Sequence, residues 1–248
     1  MRLKLTLNSD KEFIKLPLHY NTTIQGMIYK NLPKPLAKFL HDSGFFHNNR
    51  PFKLYTFSKI ISPYYKIFND IKTITFKTPI TIYISSAIKE VAKSFGETFL
   101  NKEIINLDKN SLYIESIEVL APINIKTSTF RVRTLSPITT YQTLEKENSK
   151  KFYRFYNPSD PMFNYLIKEN IRRKYEVITS KNLEDFNFDI KPIDKVRKAL
   201  IKYKDFTIEA YDGEFEINTD PEIFKTVYDA GLGAKNSQGF GMIEVING

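Results

Sequence analysis

The order in which strand and helix patterns follow one another constrains the fold of this chain more than any single motif. The first six patterns run strand, helix, strand, strand, helix, strand, with apolar side chains at every second position in strands and at helical spacing in helices. They cover residues 2–8, 22–43, 52–58, 73–84, 86–100 and 111–120. Pro33 and Pro35 should break or kink the first helical stretch, and Gly44 should end it. Pro79 predicts an edge position or a bulge within the 73–84 strand.

The second half of the chain repeats this order. Asp160 and Pro161 predict a helix start, because an aspartate cap and a proline at the first helical position favour one. The predicted elements are a strand at 129–135, a helix at 161–174, a hairpin of 199–211 and 214–218 turning at Asp212-Gly213, a helix at 221–230 and a strand at 241–246. The order βαββαβ is that of ferredoxin-like domains. We therefore predict an α+β fold of two tandem ferredoxin-like, RRM-like domains, residues 1–120 and 121–248.

The composition favours an anionic partner. The chain of 248 residues has a formal net charge of +9, which points to nucleic acid first and a membrane surface second. A proteome that is simply rich in lysine is the alternative explanation. The chain has no cysteine, which excludes disulfides and thiolate zinc sites. No apolar run approaches the roughly 18 residues of a membrane span. These features predict a soluble cytoplasmic protein that does not bind membranes.

The densest motif lies near the C-terminus. Four glycines there allow positive φ angles and close approach of the backbone to a ligand. A cation and two polar side chains occupy the tip of the same segment, so the loop could cradle phosphate groups. An ordinary helix-to-strand connection is the alternative. The residues concerned are Gly231, Gly233, Lys235, Asn236, Ser237, Gly239 and Gly241. We predict that they bind RNA, and we call residues 231–241 the glycine-rich loop.

This loop and four further segments carry a resemblance to a known family. The stretch GLGAKNSQGFGMIEV at 231–245 resembles the glycine-rich signature that closes CRISPR-associated endoribonucleases of the Cas6 family. The segments IQGMIY at 24–29, LHDSG at 40–44, KLYTFS at 53–58 and TLSPI at 134–138 resemble further family segments in the same order.

The resemblance implies a fold, a substrate and a reaction. Family members have two ferredoxin-like domains with RNA in a basic cleft between them. They cleave CRISPR repeat transcripts without a metal or cofactor and leave a 2′,3′-cyclic phosphate and a 5′-hydroxyl. By motif, the family's catalytic histidine, tyrosine and lysine fall on His41, Tyr29 and Lys53. CRISPR repeat RNA is thus the expected partner. Subunits of a CRISPR effector complex are a further possible partner. The oligomeric state is expected to be either a monomer or a homodimer.

The residues themselves agree with this chemistry. Attack by an RNA 2′-OH needs a base, an acid and a cation near the phosphorane, and histidine can serve as acid or base near neutral pH. His41 falls at the end of the first helical region, and His47 in the following polar loop is the alternative catalytic histidine. Structural explanations exist for each candidate: a helix cap for His41, a core position for Tyr29 and a solvated strand position for Lys53.

The second half of the chain carries two further groups of basic residues. Arg131 and Arg133 alternate on one strand face and are candidates for phosphate contacts, against a solvated sheet face. A helix face carries a second group of basic residues that we predict to be solvated, namely Lys168, Arg172, Arg173 and Lys174. No motif indicates a metal site. Two rival functions remain: a non-catalytic repeat-RNA-binding protein or effector subunit, and an unrelated RNA-modifying enzyme, which would need a cofactor.

Overall fold

The computed structural model describes residues 1–123, 125, 127–145 and 151–246. The first half contains thirteen labelled elements, and a π-helical turn at Phe39–Ser43 follows the second helix. In chain order the elements are β1 (Arg2–Asn8), β2 (Phe13–Pro17), α1 (Asn21–Asn31), α2 (Lys34–Lys38), β3 (Phe45–His47), β4 (Arg50–Phe52), β5 (Tyr55–Phe57), β6 (Tyr65–Phe68), β7 (Thr73–Lys77), β8 (Ile80–Ser86), α3 (Lys89–Leu100), β9 (Ile104–Leu107) and β10 (Asn110–Val119).

The main sheet of the first half confirms the predicted element order. Its strands lie in the order β5-β8-β1-β10-β9. The four strands of the βαββαβ pattern are thus arranged 2-3-1-4, with β9 added at one edge. Leu3, Leu5 and Leu7 point from β1 into the core, as the period of two predicts. They share this core with Ile24 and Ile28 of α1.

The strand predicted over 73–84 is divided in two. The chain leaves one sheet and enters another at Thr78 and Pro79. β7 lies in a separate three-stranded sheet, β2-β7-β6, whereas β8 lies in the main sheet. Proline has no backbone N–H to donate to a ladder, which suits it to this junction.

The second half has a short 3₁₀ turn at Asn236–Gln238 and, among the described residues, ten labelled elements. In chain order they are β11 (Thr129–Thr134), β12 (Tyr141–Glu145), β13 (Lys151–Phe155), α4 (Pro161–Thr179), β14 (Phe188–Pro192), β15 (Arg197–Tyr203), β16 (Phe206–Asp212), β17 (Glu214–Thr219), α5 (Pro221–Ala230) and β18 (Ile243–Val245). Its four-stranded sheet has the order β14-β17-β11-β18, again 2-3-1-4. The chain therefore consists of two tandem ferredoxin-like domains, as predicted. The boundary at residues 120 and 121 stays a prediction.

The prediction of a hairpin that turns at Asp212-Gly213 is wrong. β16 instead pairs with β15 through a turn at Lys204 and Asp205, and Lys204 adopts a φ of 53° there. β17 belongs to the main sheet of the second half, where it pairs with β11 and β14. The Asp212 carboxylate instead accepts hydrogen bonds from Lys59 at 2.9 and 3.0 Å and from the Thr134 hydroxyl. These contacts hold the chain at the point where it leaves the β15-β16 sheet and enters the sheet that contains β17.

The second strand of this domain is the short β14, which the sequence analysis did not predict. The helix predicted over 161–174 begins at Pro161 as expected, because Asp160 accepts the N–H of Met162 at 2.9 Å. It continues to Thr179. Among the described residues, no helix combines the length and the apolar character needed to cross a membrane.

A buried arginine joins the two halves. Arg2 begins β1, and its guanidinium donates to the carbonyls of Tyr228 and Ile243, each at 2.8 Å. The same group lies 3.7 Å from the centre of the Tyr228 ring. Burial lowers the pKa of Arg2, and the nearby Tyr228 and Asp229 oppose that shift. A single side chain of the first strand thus binds both the last helix and the last strand.

Replacing Arg2 by Met should lower the free energy of unfolding by roughly 2–4 kcal/mol, because two buried carbonyls would lose charged donors. Urea unfolding would measure the change. Lys4→Met is the matched control, since Lys4 lies on the same strand face and bonds only the exposed Glu118. A similar loss in both variants would contradict a special role for Arg2.

Candidate active site and nucleic-acid interface

The π-helical turn presents His41 to solvent. It follows α2 and ends at Gly44, whose φ is 71°. A Cβ on Gly44 would clash with the carbonyl oxygen of Phe52, so glycine is required for this sharp exit. The His41 side chain is 76% exposed, and its Nδ1 lies 2.7 Å from the carboxylate of Asp42. An imidazole held through Nδ1 in this way leaves Nε2 for a ligand or a substrate.

Tyr29 and Lys53 converge on the same turn. The Tyr29 hydroxyl lies 3.4 Å from the carbonyl oxygen of Leu40, and the Tyr29 ring meets the His41 ring edge-on with 6.0 Å between centroids. Lys53 donates from Nζ to the carbonyl of His41 at 3.0 Å. The structure therefore brings together the three side chains that the sequence predicts to be catalytic. We call Tyr29, His41, Asp42 and Lys53 the histidine cluster.

Three members of the histidine cluster have shifted pKa values. Burial raises the pKa of Tyr29, so its phenol keeps its proton at neutral pH. Burial lowers the pKa of Lys53, and the nearby Asp42 opposes that effect. The hydrogen bond to His41 lowers the pKa of Asp42. Sequence reasoning missed Asp42, although its position directly after His41 was a usable signal.

His47, the alternative catalytic histidine, has a different environment. It ends β3, which forms a short hairpin with β4. Its Nε2 lies 2.6 Å from Glu176 of α4, and both side chains are largely buried. This contact attaches the hairpin of the first domain to a helix of the second.

The glycine-rich loop is largely buried. A Cβ on Gly241 would clash with the Leu232 carbonyl, and one on Gly239 would clash with the Phe57 ring. The loop amides of Leu232, Ala234 and Gly241 donate to protein carbonyls. Close packing within the protein thus explains these glycines, and their role in RNA binding stays a prediction.

A buried lysine lies inside the loop. Lys174 of α4 is only 2% exposed. Its Nζ donates to the carbonyls of Gly231 at 2.6 Å and Gly233 at 3.0 Å, and to Oδ1 of Asn236 at 2.7 Å. Burial lowers the pKa of Lys174 to about 7. The prediction that Lys174 belongs to a solvated helix face is therefore wrong.

The other three basic residues of that helix face are partly exposed. Lys168 pairs with Asp185, and both Arg172 and Arg173 pair with Glu169.

The loop also contacts the first domain. The carbonyl of Ser237 accepts hydrogen bonds from Gln25 at 2.6 Å and from the Tyr55 hydroxyl at 3.3 Å. The Tyr55 ring also meets the ring of Tyr29 in the histidine cluster edge-on, with 6.4 Å between centroids. The glycine-rich loop and the histidine cluster are thus connected through two phenol groups.

Lys235, at the loop tip, lies among aromatic rings. Its Nζ is 4.7 Å from the centroids of Tyr141 and Phe206 and 5.2 Å from that of Tyr153. Burial lowers the pKa of Lys235 to about 8. The sequence did not predict this cage, because β12 and β13, which carry two of the rings, were not recognised as strands.

The two candidate arginines of β11 lie in the second sheet. Arg131 is exposed, whereas Arg133 forms an ion pair with Glu244 of β18. Neither arginine shows a contact with the histidine cluster in the described part of the chain. Within the same residues, no group of three or more histidine, cysteine or acidic side chains is arranged to hold a metal ion.

Comparisons with known proteins cover both halves of the chain. The family model described as CRISPR-associated protein Cas6, N-terminal, matches residues 15–118, and that described as CRISPR associated protein Cas6, C-terminal, matches residues 118–245. The CRISPR-associated endoribonuclease Cas6 2 of Methanocaldococcus jannaschii is 31% identical over 99% of this chain and 100% of its own length. The Cas6 1 endoribonuclease of the same organism is 27% identical, over 98% and 92%.

Solved structures show the same fold. The structure of a Cas6-related gene product from Pyrococcus furiosus superposes with a TM-score of 0.86 at 24% identity, covering 100% of this chain and 98% of the other. A structure described as an RAMP protein binding different RNA substrates gives a TM-score of 0.84 at 22% identity, covering 100% of both chains.

Fold and side chains together define a tandem ferredoxin-like protein whose two domains meet at a buried glycine-rich loop. The family models extend over most of this architecture, and a curated relative shares 31% identity over nearly the whole chain. The chain belongs to the Cas6 family of CRISPR-associated proteins.

Lys174 should give the protein a characteristic pH dependence. The unfolded chain binds a proton at Lys174 up to about pH 10.5, whereas the folded protein releases it near pH 7. Between these values the unfolded state binds more protons, so this group makes the free energy of unfolding rise with pH, by at most about 1.4 kcal/mol per pH unit.

Lys174→Met should remove that contribution, and Lys168→Met on the same helix should retain it. Urea unfolding of all three proteins at several pH values between neutral and about pH 9 would compare the slopes. Identical slopes in the wild type and Lys174→Met would contradict the assignment.

Proposed function

We propose that this protein is a metal-independent endoribonuclease that binds CRISPR repeat RNA and cuts precursor transcripts to release guide RNAs. The observation that carries the proposal is the convergence of Tyr29, His41 and Lys53 on one solvent-facing turn. Membership in the Cas6 family and relatives that are named CRISPR-associated endoribonucleases support it.

The proposed reaction is an internal transesterification of RNA. The 2′-oxygen of one nucleotide attacks the adjacent phosphorus while the bond from phosphorus to the 5′-oxygen of the next nucleotide breaks. A base accepts the proton of the 2′-OH, and an acid donates a proton to the departing 5′-oxygen. The products are a 2′,3′-cyclic phosphate and a 5′-hydroxyl.

His41 performs one of the two proton transfers through Nε2, because Nδ1 is held by Asp42. The Asp42 carboxylate fixes the orientation of the imidazole ring. This geometry leaves both the acid role and the base role open for His41. Lys53 stabilises the charge of the phosphorane, since an ammonium group near the developing charge lowers the barrier. The neutral phenol of Tyr29 orients a phosphate or ribose oxygen as a hydrogen-bond donor.

The charge of the chain supports RNA as the partner. A net charge of +9 attracts a polyanion from solution, and binding to phosphates releases counterions. Arg131 offers an exposed guanidinium on the second sheet, and Arg133 becomes available when a phosphate competes with Glu244. The glycine-rich loop contributes by holding the two domains in a fixed relative position.

The chemistry predicts a strict requirement for the 2′-OH. A repeat RNA with a single 2′-deoxy substitution 5′ to the scissile phosphate should bind with nearly unchanged affinity and remain uncut, because the nucleophile is missing. The unmodified RNA should be cut equally well in EDTA. Denaturing gels of single-turnover reactions would measure the cleavage of both substrates.

Cleavage of the deoxy substrate, or loss of cleavage in EDTA, would contradict the mechanism. Binding without cleavage of any RNA would favour a non-catalytic repeat-RNA-binding protein.

His41 should matter far more than His47. A positioned acid or base contributes roughly 10²- to 10⁴-fold to the rate, so His41→Ala should slow single-turnover cleavage by about that factor with little change in RNA affinity. His47→Ala should slow it by about tenfold or less, since at most the contact with Glu176 is lost. Rates at saturating enzyme would separate chemistry from binding. A larger effect at His47 would require the active site to be assigned elsewhere.

A further inference from the structure

A cavity lies between α4 and β12, away from the histidine cluster. Its volume is about 580 Å³, within the range of roughly 300–1,000 Å³ typical of small-molecule sites. Gly233 and Ala234 of the glycine-rich loop form part of its wall, and Arg50 from the hairpin of the first domain reaches its lining. The cavity is thus built from both domains, and we call it the interdomain pocket.

One wall of the pocket is a single face of α4. Tyr165, Glu169 and Arg173 recur at intervals of four residues, which places them on neighbouring turns. Tyr141 of β12 contributes to the facing wall. Tyr165 is 56% exposed although it is a large aromatic side chain, and no hydrogen bond of its hydroxyl is seen among the described residues. Aromatic rings on two walls suit a flat, unsaturated ligand.

Two polar atoms in the pocket lining lack partners. Thr140 and Asn170 are 2% and 9% exposed, and both line the cavity. In the described part of the chain, Oγ1 of Thr140 and Oδ1 of Asn170 have no hydrogen-bond partner. Buried polar atoms are nearly always bonded, so these two atoms leave hydrogen-bonding capacity beside the cavity that a ligand or an ordered water would satisfy.

The charges of the pocket suit an anionic chain. Arg50 interacts with Tyr141, and no carboxylate among the described residues forms an ion pair with it. Arg173 lies 3.8 Å from Glu169, a distance that leaves its guanidinium able to reach another anion. The lining therefore combines two guanidinium groups with one carboxylate. A nucleotide has the matching parts, a flat base for the rings and a phosphate for the arginines.

We propose that the interdomain pocket binds one unpaired nucleobase of the RNA, and that Asn170 favours a base with an exocyclic amino group. This inference rests on the proposed function, since it assigns the pocket to the same RNA. The unpaired Oδ1 of Asn170 accepts the amino N–H, Tyr141 and Tyr165 contact the faces or edge of the base, and Arg50 pairs with a flanking phosphate. The pocket is separate from the histidine cluster, so it determines binding and register, while the chemistry takes place elsewhere.

The test uses a repeat RNA in which one base at a time is removed, leaving an abasic ribose. For the wild-type protein, one abasic position should weaken binding by about tenfold, which is the scale of one base stacked on an aromatic side chain. Tyr165→Ala should weaken binding of the intact RNA by a similar factor and should be insensitive to that same abasic position. Tyr113→Ala is the control, because Tyr113 is an exposed tyrosine of β10 in the other domain.

Asn170→Leu provides a second variant. Its Oδ1 has no partner to lose, so the melting temperature should change little, whereas the preference for an amino-bearing base over uracil at the identified position should disappear. The affinity for free mononucleotides shows whether the pocket takes its base from bound RNA or binds a free nucleotide. Millimolar or weaker binding of adenosine and cytidine monophosphates supports a pocket that takes its base from bound RNA, and tight binding would instead assign the pocket to a free nucleotide.

The outcomes separate the two proposals. If the wild-type protein binds and cuts repeat RNA but no abasic position loses its effect in Tyr165→Ala, the pocket assignment is overturned while the endoribonuclease proposal stands. An equal loss of affinity in Tyr113→Ala and Tyr165→Ala also overturns it. If the wild-type protein binds no RNA, the proposed function fails and the pocket assignment fails with it.

Discussion

The junction between the domains depends on the hydrogen bonds that the side-chain amino group of Lys174 makes inside the glycine-rich loop. Placing a cation inside a protein costs several kcal/mol unless its hydrogen bonds are satisfied. Here two loop carbonyls and the Asn236 side chain surround it. Asn236 in turn donates to the carbonyls of Leu232 and Phe240, which lie on opposite arms of the loop. One amino group from α4 therefore sets the shape of the loop, and loss of any acceptor would remove one of its buried hydrogen bonds.

The loop, once shaped in this way, becomes a docking surface for the first domain. The short strand β5 supplies three successive contacts. Tyr55 bonds the carbonyl of Ser237, Thr56 bonds that of Phe240 at 3.0 Å, and Phe57 packs where Gly239 has no side chain. Because Tyr55 also contacts Tyr29, the position of the candidate catalytic phenol depends on the loop. The glycines thus act on the candidate active site through packing, and a β-branched residue at Gly239 would displace β5.

Local patterns predicted those parts of the structure that depend on local physics. The alternation in β1, the cap at Asp160 and the glycine exit after His41 all follow from the residues next to them in sequence. The errors lie where distant residues decide. Asp212-Gly213 carries a turn signal, yet Lys59 and Thr134 bond the aspartate and the chain continues into another sheet. Lys174 lies among basic residues that predict a solvated helix face. Its burial instead depends on contacts with the glycine-rich loop, which is distant in sequence. The convergence of Tyr29, His41 and Lys53 was expected from family motifs, whereas composition and periodicity alone did not place them together.

The helix α4 connects these features, because its successive turns face different partners. Tyr165 and Asn170 line the interdomain pocket, Lys174 enters the glycine-rich loop four residues after Asn170, and Glu176 binds His47 of the first domain. The hairpin that carries His47 begins directly after the turn that carries His41, and its second strand brings Arg50 to the pocket. A rigid helix of the second domain therefore holds the hairpin next to the histidine cluster at one end and the pocket along its side. A base held in that pocket would be at a fixed distance from His41, which is the geometric requirement for cutting an RNA at one position in each repeat.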